Sequence, residues 1–455
     1  MRPARLELAP ADADSLRDIC TDTVGAMSRL HRECGPFTAY GSGGSRTVFA
    51  FDTAANHDVL CDTDTFLMGS GPPGPRRSSQ RRFMLGLFGL NGERQLVHRR
   101  LMQPALAKDA VLQAGPAIDA IVDAFLASWR PGQVIDLAAA MKDLSLAVAS
   151  KLLFGMDELP RSRAVAAAFQ DWLDHYISCT FEMNLPVPGR PDSLERMLAG
   201  AEQLERHHRE TIAERRKTLQ PGDGDILARL IRAFDAGAIP EDELIGEVHT
   251  ALNASYQTTA TAMTWILFLL ATHPDETRRV LPASAEADAW WELAIKEAMR
   301  VLPPVVFIGR SVAKPAKLLG EDLAPGTWVV LSLYETHHDP HLFADPESFR
   351  PERWRNWTAP PFSYIPFASG PRMCLGAYFS QRLFAKAMPA IVRRFRLQLP
   401  HGVRVDRHSN LTLGVSGSLP VMLLNQDGRG GDAGVTGNIR EMVRFPATEP
   451  LRRAA

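Results

Sequence analysis

The stretch FASGPRMCLG, Phe367 to Gly376, places one of only five cysteines inside a glycine-lined loop just ahead of a helical segment. A thiolate at Cys374 would be a strong axial ligand for haem iron, pushing electron density onto the metal to favour O–O cleavage. Such a ligand makes local demands. Side chains near the sulfur must be small, which Gly370 and Gly376 provide. Backbone N–H groups must point at the sulfur. A helix starting just after the cysteine helps hold its negative charge. Haem propionates need cations, and Arg372 stands two residues away. Taken alone, Cys374 reads equally as a buried structural cysteine, the usual fate of a free one.

The whole loop says more than the cysteine does. FASGPRMCLG matches FxxGxRxCxG at every fixed position, including Phe367, and so resembles the haem-binding loop of the cytochrome P450 family. The resemblance implies further residues. A helical Glu-x-x-Arg is expected upstream, and Glu297 and Arg300 in AIKEAMR stand before the VLPPVVFIGR break. Bare Glu-x-x-Arg is common, and most such pairs are solvated surface pairs worth little. The partner that lifts this one is Arg353 in FRPERW, which completes the family's three-residue ion network. Arg310 resembles a second propionate arginine. In GERQLVHRRLMQPAL, Arg99 falls on the position of a third, while Gln95 stands where the family has His or Trp. His98 is not a clean substitute, because it lies about 100° around a helix from Arg99.

The oxygen-activating helix departs further. Where the family carries (Ala/Gly)-Gly-x-(Asp/Glu)-Thr, this chain reads Ala254-Ser255-Tyr256-Gln257-Thr258. A hydroxyl such as Thr258 can donate a hydrogen bond and relay a proton from water. A glutamine cannot ionise near neutrality. Gln257 is therefore expected to organise water without carrying protons. Three readings stay open: other waters complete the relay, the substrate supplies a polar group, or the chemistry is atypical (peroxygenase, isomerase, dehydratase or oxidative coupling). Asn253 and Tyr256 sit beside these positions and receive no role.

The elements that must position these residues are mostly helical. Val111 to Phe154 carries Ala, Leu and Val at helical spacing and stops at Gly155. Ser193 to Leu219 reads as a charged helix. Glu241 to Pro274 reads as a helix on the order of 50 Å long, with acids at its start. FSQRLFAKAMPAIVRRF, after the cysteine loop, reads as another. Strand signals are sparse: Thr47 to Phe51, Gly326 to Tyr334 and Leu419 to Asn425. These patterns predict a mainly α fold with small β-sheets, and the resemblance implies a cytochrome P450 fold in one large domain over 1–425. The Gly/Asp run beginning after Gln426 predicts a flexible tail over 426–455.

Composition bounds the function. Hydrophobic residues make up 45% of the 455, and the formal net charge is −1, so bulk charge gives no support for nucleic-acid binding. The cysteines are scattered, which argues against a disulfide framework or structural zinc. MRPARLELAPADADSLRDIC has no apolar run, so neither signal peptide nor membrane anchor is expected, and a cytoplasmic monomer is. The resemblance implies a soluble, bacterial-type monooxygenase with haem b and O2. It implies an apolar small-molecule substrate, hydroxylated or epoxidised in secondary metabolism. It also implies NAD(P)H-linked electrons from a separate ferredoxin or flavodoxin and its reductase. Arg100, Lys108, Arg382 and Lys386 are candidates for a basic docking face, or are scattered surface charge.

Overall fold

The computed structural model describes residues 8–69, 71–157, 162–427 and 434–446. Its axis is the Glu241–Thr272 helix, which starts behind Pro240 with three acids in its first turn and ends before Pro274. Its C-terminal stretch, Thr259 to Leu270, is buried all round, as a helix segment that is largely apolar on every side must be. Midway, Asn253, Ala254, Ser255 and Thr258 keep exposed surface, because there the helix borders an internal cavity. Helices Leu137–Leu153 and Ala285–Val301 pack against it.

The expected helical stretch over Val111–Phe154 is interrupted. Helices Lys108–Gln113 and Gly115–Leu126 are followed by the strand Val134–Asp136 and the helix Leu137–Leu153. Pro131 and Gly132 break the run, and Gly132 adopts φ +88. Gly155 does stop the last helix, at φ +63. The charged helix spans Ser193–Thr218 as expected.

The largest sheet orders its strands Ala9–Pro10, Phe37–Tyr40, Thr47–Ala50, Trp328–Ser332, Phe307–Val312 and Phe66–Leu67. Trp328–Ser332 is buried at every position because it is paired on both sides. The Phe307–Val312 strand, which the sequence marks only as a stretch beyond a proline break, carries Arg310 opposite Val329. A hairpin pairs Arg407–Ser409 with Leu413–Val415, and its tip, 410–412, reaches the central cavity.

The flexible tail expected over 426–455 is corrected for residues 434–446. Val435, Ile439, Met442 and Val443 are buried in the main core. Arg407 Nη1 donates to Glu441 Oε2 at 2.7 Å, and Arg444 N donates to Glu347 O at 2.9 Å. These four apolar side chains outweigh the Gly/Asp run before them, because their burial offsets the ordering cost. Residues 428–433 and 447–455 lie outside the described residues. Among the described residues, no helix is long and apolar enough to cross a membrane.

Candidate active site

The central cavity measures about 440 Å³. Its walls bring together Cys374, Arg99, Gln95, Arg310, Arg372, Phe367, Gly376 and Thr258, residues spread over most of the sequence. Cys374 is exposed and lines this cavity. Its N–H donates to Phe367 O at 2.9 Å, closing the loop. Burial raises the thiol pKa above its ordinary value, opposed by the Gly376 N–H and the charge of Arg99. The helix Ala377–Arg394 begins three residues later with Gly376 as its cap.

The two glycines do different work from that expected of them together. A Cβ at Gly376 would meet only the cysteine Sγ, at 4.0 Å, so the space beside the sulfur is open. Gly370 serves the scaffold instead. It adopts φ +73, and a Cβ there would lie 2.4 Å from Leu60 O, on the Thr53–Cys61 helix.

Three cations crowd the cavity edge. Arg99 Nη2 donates to Met373 O at 3.0 Å, and Arg372 Nη2 to Leu90 O at 2.5 Å and Asn91 Oδ1 at 2.8 Å. Arg310 Nη1 donates to Gly309 O at 2.8 Å. Among the described residues none of the three has a carboxylate partner. Burial, with the charge of Arg372, lowers the Arg310 pKa to about 9; burial, with the charge of Arg99, lowers that of Arg372 to about 10. Clustered cations in an apolar setting are costly unless an anion joins them. His98 points elsewhere. It is fully buried, with Nδ1 at 2.7 Å from Glu247 Oε1 and Nε2 at 2.7 Å from Glu243 Oε2.

Glu297, Arg300 and Arg353 meet in one ion network. Glu297 and Arg300 are fully buried. Arg300 Nε and Nη2 bond the carboxylate at 3.0 and 2.9 Å, and Arg353 Nε at 2.8 Å. Sequence reasoning missed two more donors to it: Trp354 Nε1 at 2.7 Å and the Arg350 N–H at 3.1 Å. Trp354 was within reach, since it closes FRPERW. His337 carries the network onward. Its carbonyl accepts from Arg300 Nη1 at 2.9 Å, and its Nε2 accepts from Ile365 N at 2.9 Å, two residues before Phe367. No local signal marks His337.

On the central helix, Thr258 lines the cavity and donates its hydroxyl to Ala254 O at 3.1 Å. Gln257 does not line it. Its Nε2 donates to Gln170 Oε1 at 2.6 Å and to Thr412 Oγ1 at 3.2 Å.

The sequence model of the family described as Cytochrome P450 matches residues 19–287 and 291–424. The chain belongs to the cytochrome P450 family. Cyclooctatin synthase of Streptomyces melanosporofaciens is 29% identical over 69% of this chain and 73% of its own length. Cyclooctat-9-en-7-ol 5-monooxygenase of the same organism is 29% identical over 68% of this chain and 71% of its own. The crystal structure of CYP175A1 from Thermus thermophilus superposes with a TM-score of 0.73 at 26% identity, covering 92% of this chain and 100% of that one. This P450 is thus a monooxygenase, an oxidoreductase whose family uses haem, O2, a small-molecule substrate and electrons from a redox partner.

The residues present fit haem. One sulfur donor lines a largely apolar cavity, space is open beside it, and three cations at its edge have no carboxylate partner among the described residues, which suits an anionic group. Of the four basic residues considered for partner docking, Arg100 and Lys108 are exposed, Arg382 is half-buried, and Lys386 pairs with Asp119 at 2.5 Å.

Proposed function

We propose that this P450 inserts one oxygen atom into an apolar small molecule, by hydroxylation or epoxidation, in secondary metabolism. The observation that carries it is one cavity holding both Cys374 and Thr258 between largely apolar walls. Haem, when bound, supplies the iron at which dioxygen is reduced. Cys374 would ligate it as thiolate, with the Gly376 N–H moderating the sulfur's basicity. Arg99, Arg310 and Arg372, with Gln95, would pair with the propionates. The Glu297–Arg300–Arg353 network, through His337, fixes the segment that leads into the cysteine loop. Thr258 would hold a proton at Oγ1 where oxygen is reduced. Phe83, Trp172, Leu173 and Ile177 would hold the substrate and exclude water.

The relative acting on cyclooctat-9-en-7-ol supports an unsaturated cyclic alcohol as a substrate to try early. NAD(P)H-linked electrons through a ferredoxin or flavodoxin and its reductase belong to the same proposal, as does a cytoplasmic monomer. The test is an optical ligand screen on ferric protein, with cyclic terpenoid alcohols, fatty acids, aromatic amino acids and macrolides. A low-to-high spin shift is expected with the first class. No shift from any class, with a reduced carbon-monoxide band showing thiolate, would overturn the proposed substrate class.

A further inference from the structure

Asn253 gained no role from its place in the sequence, five positions before Thr258 on the central helix. In the structure its side chain is half-buried and lines the cavity. Its amide has no hydrogen-bond partner among the described residues. Neither amide atom is enclosed, unlike Thr250 Oγ1 and Gln257 Oε1, which are buried without a partner and have no surface to offer a ligand. The hydroxyls beside it are engaged. Ser255 Oγ donates to Leu252 O at 3.1 Å, and Thr258 Oγ1 to Ala254 O at 3.1 Å. The Ser162–Asn184 helix crosses the central helix at this point. Its Trp172 ring lies 4.7 Å from that of His249, one turn before Asn253, and its Gln170 Oε1 accepts from Gln257 Nε2 at 2.6 Å, one turn after. The same helix gives the cavity Leu173 and Ile177. An amide left unpaired among apolar side chains costs free energy until something pairs with it.

We propose that Asn253 is a specificity-determining residue, holding a neutral hydroxyl or carbonyl that the substrate already carries before this P450 oxidises it. This rests on the monooxygenase reading above and narrows its substrate. An amide both donates and accepts, so it takes either oxygen group. The helix rises about 8 Å between Asn253 and Thr258. The oxygen held at Asn253 therefore lies several bonds from the carbon attacked near Thr258. The surroundings disfavour a charged group. On the two helices that cross here, His249 and Tyr176 are the titratable side chains lining the cavity, and both are neutral. Burial, with the charge of His208, holds His249 well below the ordinary histidine range, and burial pushes Tyr176 up to about 12. The cations lining the cavity are Arg99, Arg310 and Arg372, which the propionates would take. A carboxylate at Asn253 would be buried without a counter-charge. The reaction that supplies this substrate must then leave a hydroxyl or carbonyl on a hydrocarbon frame, as an earlier oxygenation or a cyclisation ended by water does.

The test reads dissociation constants from the spin shift of ferric holoenzyme and of its Asn253→Leu variant. Two frames each supply a hydrocarbon, an alcohol, an aldehyde and an acid. One is abietadiene, abietadienol, abietadienal and abietic acid; the other is limonene, perillyl alcohol, perillaldehyde and perillic acid. Leucine keeps the size of asparagine and removes its hydrogen bonds. On at least one frame, the affinity of the alcohol relative to its hydrocarbon should fall about fivefold or more in Asn253→Leu, and that of the aldehyde likewise. The acid, ionised at about pH 8, should bind the parent roughly tenfold or more weakly than the alcohol. Turnover of the alcohol should give one main product in the parent and a spread of oxidised positions in the variant. The proposal is overturned if neither alcohol binds the parent, or if an acid binds as tightly as its alcohol. It is also overturned if the relative affinity stays within about twofold in Asn253→Leu on both frames. The monooxygenase reading beneath it fails differently: the parent would lack the thiolate carbon-monoxide band, or would return every bound ligand unoxygenated. Should Asn253→Leu fail to fold, Asn253→Ala carries the same comparison.

Discussion

Replacing Glu297 by Gln should cost this P450 on the order of 3–5 kcal/mol, the range for removing one partner of a buried ion pair. The geometry explains why the change is not conservative. Glu297 Oε1 accepts from Arg300 Nη2, Arg353 Nε and the Arg350 N–H, and Oε2 accepts from Arg300 Nε and Trp354 Nε1. A glutamine oxygen in the Oε1 place turns its NH2 toward two donors, neither of which accepts. Arg300 is left as a fully buried cation without a counter-charge. The unfolding constant should rise by roughly two to four orders of magnitude. Urea unfolding with linear extrapolation measures it. The thiolate carbon-monoxide band should weaken in parallel, because His337 links Arg300 to the backbone just before Phe367. A companion comparison sharpens the argument. Glu297→Leu with Arg300→Met should cost less than Glu297→Leu alone, since one cation of the network, Arg353, is left without its carboxylate rather than two. A Glu297→Gln protein within about 1 kcal/mol of the parent, with a full thiolate band, would refute the claim that this carboxylate organises the site.

Gly370→Ala should give little soluble holoenzyme, because φ +73 and the 2.4 Å approach to Leu60 O leave no room for a Cβ, whereas Gly376→Ala should fold; expression yield and the thiolate band separate them. Arg310→Met and Arg372→Met should release haem to apomyoglobin faster than the parent, each by about tenfold or more, since each removes a cation that no acid now offsets. His98 has its pKa raised, its two glutamate partners outweighing burial. A raised histidine pKa adds stability that is fully present below about pH 6.5 and is lost as pH rises through the folded-state value. The stability gap between parent and His98→Asn should therefore be larger at pH 6 than at pH 9, measured by urea unfolding at both.

Short-range chemistry was legible in the sequence. FASGPRMCLG declares itself because an axial thiolate makes its demands within ten consecutive residues: a cation, a turn and a helix start. Gly155 and Pro274 end their helices by local sterics alone, and Glu297 with Arg300 share a helix face by spacing. What the fold decided are partnerships across long stretches of chain. Gln257 meets Gln170 and Thr412, 87 and 155 residues away, and so faces away from the cavity that its place beside Thr258 suggested. Gly370 looked like room for a cofactor and proved to be room for Leu60 O. Residues 434–446 read as tail because four apolar side chains make no pattern until there is a core to receive them. Asn253 carried no motif at all. That its amide stands in a cavity wall without a partner is settled only when the helices pack, because a hydrogen bond depends on distance in space, and spacing along the chain sets that distance only within a single element.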